Sequence, residues 1–342
     1  MKLMISLDKK IFDKDSYVAK RMIAYGIVDP LFILLPSSTD KFMELSPEVK
    51  VWGLGGNKVQ IFFNIIKKGK KIINKNIIDT ITAQDPFFTG LIGFILKKKT
   101  DKKLEIQVHG DFFGGTYYKK SGIKNLFQYY LANFIVKKAD IIRVVGQRIK
   151  DSLIKLKIDE NKIKVKPIEI NEEEINNHTI QTDLKKKYSN YKKIFLSIGR
   201  LEVVKNINFL IDVFAEVLKD KVNGEAREGA LGQKKDFLLL IVGSGSQEKI
   251  LKEKVENLGL SNNIKFEDWT EDHISYIKTC DAVLFPSLSE GYGLVPMEAD
   301  VCGTKVIMSN VGVANFELDS SDDVIILPIN DKEKFIHEIK NI

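Results

Sequence analysis

The sequence predicts an α/β fold built from two doubly wound, parallel-sheet domains. Three observations carry this reading. With 342 residues the chain is longer than one domain usually is. Short apolar runs recur along it, most of them separated by stretches long enough for a helix, and strands alternating with helices give parallel sheets covered on both faces. A polar, charge-clustered segment at 171–192 parts the runs into two sets. The expected division is a first domain over 1–170, a hinge over 171–192 and a second domain over 193–342.

In order, the first half supplies runs at 2–8 (KLMISLD), 31–37 (LFILLPS), 49–54 (VKVWGL), 77–85 (IIDTITAQD), 103–110 (KLEIQVHG), 140–146 (DIIRVVG) and 162–168 (KIKVKPI). The second half supplies 193–199 (KIFLSIG), 237–243 (FLLLIVG), 263–268 (NIKFED), 282–287 (AVLFPS), 304–309 (TKVIMS) and 323–328 (DVIILP). In DKD (13–15), Asp15 or the following Ser16 reads as a helix cap rather than a metal ligand. Residues 223–235 (NGEAREGALGQKK) lack an apolar period and read as a surface loop. Ligands of doubly wound sheets bind at the carboxyl ends of the strands. Two such domains facing one another place the expected site in the cleft between them.

The most informative run is EGYGLVPME, Glu290 to Glu298, which follows the strand AVLFPS and leads into a helix. Gly291 and Gly293 let backbone come close to a ligand. The first N–H groups of the helix are unpaired and carry about half a positive charge, so the helix start attracts an anion, typically phosphate. Pro296 suits a first helical turn. A cationic pocket flanked by Glu290 and Glu298 fits a nucleotide sugar better than a nucleotide alone, because carboxylates bind hydroxyls. The plainer alternative makes Glu290 a cap and Glu298 a solvated helix residue.

After KIFLSIG come Arg200 and Lys205, two cations placed to grip a diphosphate, Arg through paired hydrogen bonds and Lys as a point charge. Surface charge beside an ordinary helix start is the alternative, with Asn206 as cap and Ile207, Leu210, Phe214 and Val217 as the apolar face. GSGS (243–246) departs from a dinucleotide fingerprint and reads as a strand-to-helix turn, with Gly243 near the nucleotide. His109 is the one histidine of four at the carboxyl end of an expected strand, and it lacks partners for a metal site.

Charge is uneven along the chain. Residues 1–170 carry 32 Lys and Arg against 17 Asp and Glu, a net of +15, whereas 171–342 carry 21 against 29, a net of −8. In the basic half the lysines alternate with aromatic and isoleucine clusters at 62–76, 87–103 and 117–138. That pattern fits peripheral contact with an anionic membrane, or a core whose lysines are merely solvated. Nucleic acid is not expected as a partner, since no binding module accompanies the charge. Cys280 and Cys302 read as small hydrophobes in a reducing compartment. The first residues lack the features of a secretory signal, and no run approaches the ~20 residues of a spanning helix, so a cytoplasmic protein is expected.

Taken together, GRLEVVKN, LLLIVGSG, IKFEDW and FPSLSEGYGLVPMEADVCGTKVI resemble, in order and spacing, the family 4 glycosyltransferases (glycosyl transferases group 1). The resemblance covers about 194–312 and extends more loosely through VHG at 108–110. It implies the GT-B fold, two Rossmann-like domains facing across a cleft. It implies a retaining, metal-independent transfer of sugar from a nucleotide diphosphate sugar to a glycan or lipid-linked acceptor, with no cofactor. By the same resemblance Arg200 and Lys205 match the diphosphate cations, Glu290 the residue against the donor sugar, and Glu298 the residue on the ribose. Gly291, Tyr292, Gly293 and Leu294 match the loop that offers backbone N–H groups, His109 the histidine touching the transferred sugar, and Phe266 to Trp269 the segment along the base. The chain departs from the family at DKKIFDKDS (8–16), where a glycine-rich loop is usual, at Pro167-Ile168-Glu169, and at Asp268 in place of glycine. It also stops where a long final helix would return to the first domain. A non-catalytic nucleotide-sugar-binding or scaffold subunit of the same fold is the alternative.

Overall fold

The structure is a computed structural model describing residues 1–115, 117–120, 122–222 and 235–342. Contacts divide the chain into two compact units, Met1–Pro167 and Ile168–Ile342.

In the first unit the apolar runs form β1 (Lys2–Ile5), β2 (Leu31–Pro36), β3 (Lys41–Ser46), β4 (Val49–Leu54), β5 (Thr80–Ala83), β6 (Lys103–Val108), β7 (Ile141–Val144) and β8 (Ile163–Val165). They join in one sheet, ordered β3-β4-β2-β1-β5-β6-β7-β8, parallel except for β3 against β4. The antiparallel β3 has no counterpart among the expected strands. Lys41 and Glu44 interrupt Phe42, Met43 and Leu45, and only Leu45 is buried, so no continuous apolar run marks it. Helices α1 (Tyr17–Val28), α2 (Lys58–Lys75), α3 (Phe88–Thr100), α4 (Tyr117–Lys120), α5 (Ile123–Lys138) and α6 (Gln147–Lys155) connect the strands. Ser16 caps α1 through its side chain, accepting from the Ala19 N–H. The loop after β1, where the resemblance would place glycines, is a 3₁₀ turn over Lys9–Phe12, with Ile11 fully buried beneath α1 and β2.

The second unit has β9 (Tyr191–Ile198), β10 (Lys235–Val242), β11 (Ile264–Glu267), β12 (Ala282–Phe285), β13 (Lys305–Ser309) and β14 (Val324–Leu327), all parallel, in the order β11-β10-β9-β12-β13-β14. Its helices are α7 (Glu172–Asn176), α8 (Leu184–Lys187), α9 (Ile207–Val222), α10 (Glu248–Asn257), α11 (His273–Thr279), α12 (Leu294–Val301) and α13 (Lys332–Lys340). Ile207, Leu210, Phe214 and Val217 do form the buried face of α9, packed with Phe195, Phe237 and Phe335 into one core. The loop read at 223–235 lies outside the described residues up to 234, and Lys235 opens β10.

Residues 171–192, read as a hinge, are held within this second unit. Leu184 is fully buried and its N–H bonds Thr279 Oγ1 at 3.1 Å. Glu267 accepts from the hydroxyls of Tyr188 and Tyr276 and pairs with Lys187 at 2.7 Å. These bonds hold its carboxyl below the usual pKa range even though partial burial pushes the other way.

Candidate active site

The strand order of the second unit reverses direction between β9 and β12, and ligands of doubly wound sheets collect in the crevice at that point. The segments carrying the expected cations and carboxylates follow these two strands. After β9 the backbone passes through Gly199 and Arg200 into a 3₁₀ turn, Val203–Lys205. After β12 it passes Ser287 and Glu290 before entering α12. Lys205 Nζ lies 2.5 Å from Glu290 Oε1, so one ion pair ties the two segments. Both side chains are largely buried, and the ammonium also stands 4.9 Å from the Phe285 ring centre, where the ring's π-face attracts it. Arg200 is exposed beside this pair. It lines one small pocket with Gly199, Lys205, Phe285 and Ser287. The Ser287 hydroxyl is buried there and bonds no partner among the described residues.

Asn206, expected to cap α9, uses its side chain differently. It adopts a left-handed conformation (φ 59°), and its amide donates to the Pro286 carbonyl at 3.1 Å and to Asn330 Oδ1 at 2.8 Å. The residue thus ties the Lys205 turn to the loop after β12.

The GSGS turn links β10 to α10, as its sequence suggests, and it is knitted to the Arg200 segment. Leu201 N–H donates to the Ser244 carbonyl and Gln247 N–H to the Leu201 carbonyl, each at 2.9 Å. Glu202 accepts from the Ser246 hydroxyl at 2.7 Å. Gly243 has φ +133°, and a Cβ there would sit 2.0 Å from the Gly199 carbonyl oxygen. Only glycine permits this approach.

At the start of α12, Gly293 takes φ +105° and forms the N-cap without a side-chain bond. Pro296 is buried in the first turn, where its missing N–H leaves nothing unpaired. Tyr292 is buried, its carbonyl accepting from Val313 N–H at 2.8 Å, while Leu294 is exposed. Gly291 lies between Glu290 and Tyr292, and among the described residues no backbone carbonyl accepts from the N–H groups of Gly291, Tyr292 or Gly293. Gly312 (φ +57°), in the loop after β13, supports this loop, since a Cβ on it would meet the Tyr292 carbonyl oxygen at 2.0 Å.

Glu298, on α12, meets a residue that sequence reasoning missed. His273 Nε2 lies 3.4 Å from Glu298 Oε1, its Nδ1 lies 3.2 Å from the Glu271 carbonyl, and its ring stacks on Trp269 with centres 5.8 Å apart. The Glu298 carboxylate raises the His273 pKa above its ordinary value. Sequence carries no signal for this pairing, because Trp269 lies in the loop before α11 and its spacing from His273 has no helical meaning. Phe266 is placed apart from this group. It lies within β11 and packs against the core, with Lys252 Nζ 5.8 Å from its ring.

In the first unit, His109 follows β6 with an exposed edge, yet protein atoms crowd its ring. Loss of hydration, aided by the cations Arg143 and Arg21, lowers its pKa to about 4. Arg143 Nη2 donates to Gln107 Oε1 at 2.6 Å, which fixes that amide's orientation because an arginine can only donate. His109 Nε2 lies 3.1 Å from the same oxygen, so this nitrogen carries the proton and Nδ1 is left as an acceptor. Gln107 in turn donates to Thr82 Oγ1 at 3.0 Å, and Thr82 to Glu105 Oε1 at 2.8 Å. Arg143→Met is expected to raise the pH at which His109 titrates, followed by NMR of its ring protons. An unmoved titration would remove Arg143 from control of this ring.

The two parallel-sheet units have the architecture of the GT-B glycosyltransferases. Two family models match in tandem, Glycosyltransferase Family 4 over residues 31–173 and Glycosyl transferases group 1 over residues 180–342. The chain belongs to this family of group 1 glycosyltransferases. It is 26% identical over 278 residues to the UDP-Gal:alpha-D-GlcNAc-diphosphoundecaprenol alpha-1,3-galactosyltransferase of Escherichia coli, a match covering 80% of this chain and 68% of that protein. It is 28% identical over 230 residues to the O-antigen chain mannosyltransferase RfbU of Salmonella typhimurium, covering 66% of this chain and 57% of that one. Among solved structures, Anabaena HepE in complex with UDP and glucose superposes with a TM-score of 0.69 at 17% identity, covering 99% of this chain and 89% of that chain. Sucrose-phosphate synthase from Thermosynechococcus elongatus gives a TM-score of 0.74 at 17% identity, over 99% and 88% of the two chains. No helix among the described residues is long and apolar enough to cross a membrane.

Proposed function

We propose that this protein transfers a sugar, with retention of configuration and without a metal, from a nucleotide diphosphate sugar to a glycan or lipid-linked acceptor in cell-surface polysaccharide or glycolipid synthesis. The observation that carries the reading is the Lys205–Glu290 pair at the strand-order reversal, beside the start of α12. Breaking a sugar–diphosphate bond leaves negative charge on the departing phosphate. Lys205, Arg200 and the N–H groups at the start of α12 would stabilise that charge in place, without reorganising as it forms. Glu290 would hold hydroxyls of the donor sugar and keep Lys205 in position. Gly291 to Leu294 would bring backbone to the phosphate and sugar, with Gly243 close by. His109, neutral and with a free Nδ1, would accept a hydrogen bond from the transferred sugar. Among the described residues no carboxylate is an obvious nucleophile, so the acceptor would attack from the face the diphosphate leaves, giving its proton to that phosphate. The relatives named for UDP-galactose and bound to UDP support uridine as the base.

Glu298 would take the ribose hydroxyls, with His273 holding one of its oxygens and Trp269 and the backbone at Phe266 lying along the base. Glu298→Ala is then expected to weaken binding of the UDP-sugar about tenfold or more by titration calorimetry. Unchanged affinity would take Glu298 out of the ribose site. The reading as a whole is tested by thermal unfolding with uridine, guanosine, adenosine and thymidine diphosphates and their sugars. A ligand at ~100 times its dissociation constant adds about 2.7 kcal/mol, which raises the melting temperature. No shift with any of them would overturn the nucleotide-sugar site. A shift without sugar transfer to any acceptor would favour the binding or scaffold subunit, for which the 3₁₀ turn after β1 speaks.

A further inference from the structure

Three helices of the first unit, α2, α3 and α5, pack side by side. Between them they carry twelve lysines and no Asp or Glu. On α5 the residues facing inward, Tyr129, Ala132, Ile135 and Val136, are buried as an amphipathic helix requires. The outward face is apolar too. Ile123, Phe127, Tyr130 and Phe134 recur at helical spacing and are 89%, 67%, 62% and 46% exposed. On α2, Val59 and Phe63 are likewise open to solvent, followed along the helix by exposed Lys67, Lys70, Lys71 and Lys75. Helices of globular proteins rarely leave such a stripe uncovered without a partner.

We propose that this face of the first unit lies on an anionic bilayer, with the α5 stripe and the α2 tip set into the headgroup region. The chemistry selects the partner. Every charge on the three helices is positive, which calls for an anionic partner. A nucleic acid would match that charge but leave the stripe from Ile123 to Phe134 in water, whereas an anionic bilayer takes up both charge and apolar groups. Aromatic side chains immersed beside lysines that reach up to phosphate describe a helix resting in a membrane interface. The lysine heads are free to do so: Lys98, Lys99, Lys124, Lys137 and Lys138 are exposed, while Lys97 is committed to Asp140 at 2.6 Å. This inference stands independently of the sugar-transfer reading, since it concerns neither Lys205 nor Glu290.

The test is sedimentation of the full chain with vesicles of phosphatidylcholine alone and of equimolar phosphatidylcholine and phosphatidylglycerol, over a range of salt. Binding to the anionic vesicles alone, weakening as salt rises, is expected. Two sets of substitutions then separate charge from immersion. Lys67→Gln, Lys70→Gln and Lys71→Gln together should weaken binding about a hundredfold. Ile123→Ser, Phe127→Ser and Tyr130→Ser together should weaken it about tenfold or more. All six side chains are exposed, so both variants should melt like the parent protein, which is checked alongside. No binding to anionic vesicles, equal binding to neutral ones, or variants that bind as well as the parent would overturn the proposal. So would self-association that the serine variant abolishes while vesicle binding persists, because the stripe would then be a protein interface.

Discussion

Lys205→Ala should lower turnover by about a hundredfold or more, with a smaller effect on donor affinity. Removing one preorganised group from the site of developing charge typically has this effect. The ion pair makes the loss larger than that of a lone cation. Glu290 would be left without its partner in a largely enclosed site, and breaking such a pair costs more than removing an exposed charge. The double variant Lys205→Met with Glu290→Gln separates the two contributions. If the lysine acts on the phosphate directly, the double variant stays as slow as Lys205→Met alone. If the lysine serves only to position Glu290, Lys205→Met should add nothing to Glu290→Gln. Near-normal turnover in Lys205→Ala would remove the residue from the leaving-group role altogether.

Gly312→Ala should be among the most disruptive small substitutions in the second unit. Its left-handed φ of +57° by itself costs any other residue about 1–2 kcal/mol. The added methyl would also meet the Tyr292 carbonyl oxygen at 2.0 Å and the Glu290 Cβ at 3.0 Å, so the loop that carries Glu290 must move. Gly303 provides the control. It has nearly the same φ, +66°, but nothing lies within 4 Å of the place a methyl would take there. Gly303→Ala should therefore cost only the conformational part, whereas Gly312→Ala should cost about 2 kcal/mol more and lower turnover as well. Equal melting temperatures for the two variants would show that the loop yields without resistance.

Most of the fold was legible because its strands are buried on both faces and so read as apolar runs. Every run singled out in the sequence contains a strand. What escaped was β3, where Lys41 and Glu44 break up Phe42, Met43 and Leu45 and only Leu45 is buried. The segment 171–192 reads as a hinge because its charges face water; the bonds that Leu184 and Tyr188 make to residues some eighty to ninety-five positions away leave no mark in sequence. In the site, Lys205, Glu290 and the glycines were legible from their places after strands. Gly312 and Ser287 were not, because their importance lies in what stands across from them. His109 could be singled out by position, but its protonation is governed through Gln107 by Arg143 on the neighbouring strand, a relation that only the register of β6 and β7 creates.

The antiparallel strand that sequence did not disclose has a consequence for how this protein behaves at high concentration. A parallel sheet ending in a long apolar strand would offer unpaired backbone to any similar edge, and aggregation would follow. Here β3 closes that side. It presents Lys41 and Glu44 outward and breaks its register between Glu44 and Ser46. At the opposite margin β8 is only three residues long and carries Lys164. A newly made chain, crowded among copies of itself, thus meets two margins that resist templating a neighbour.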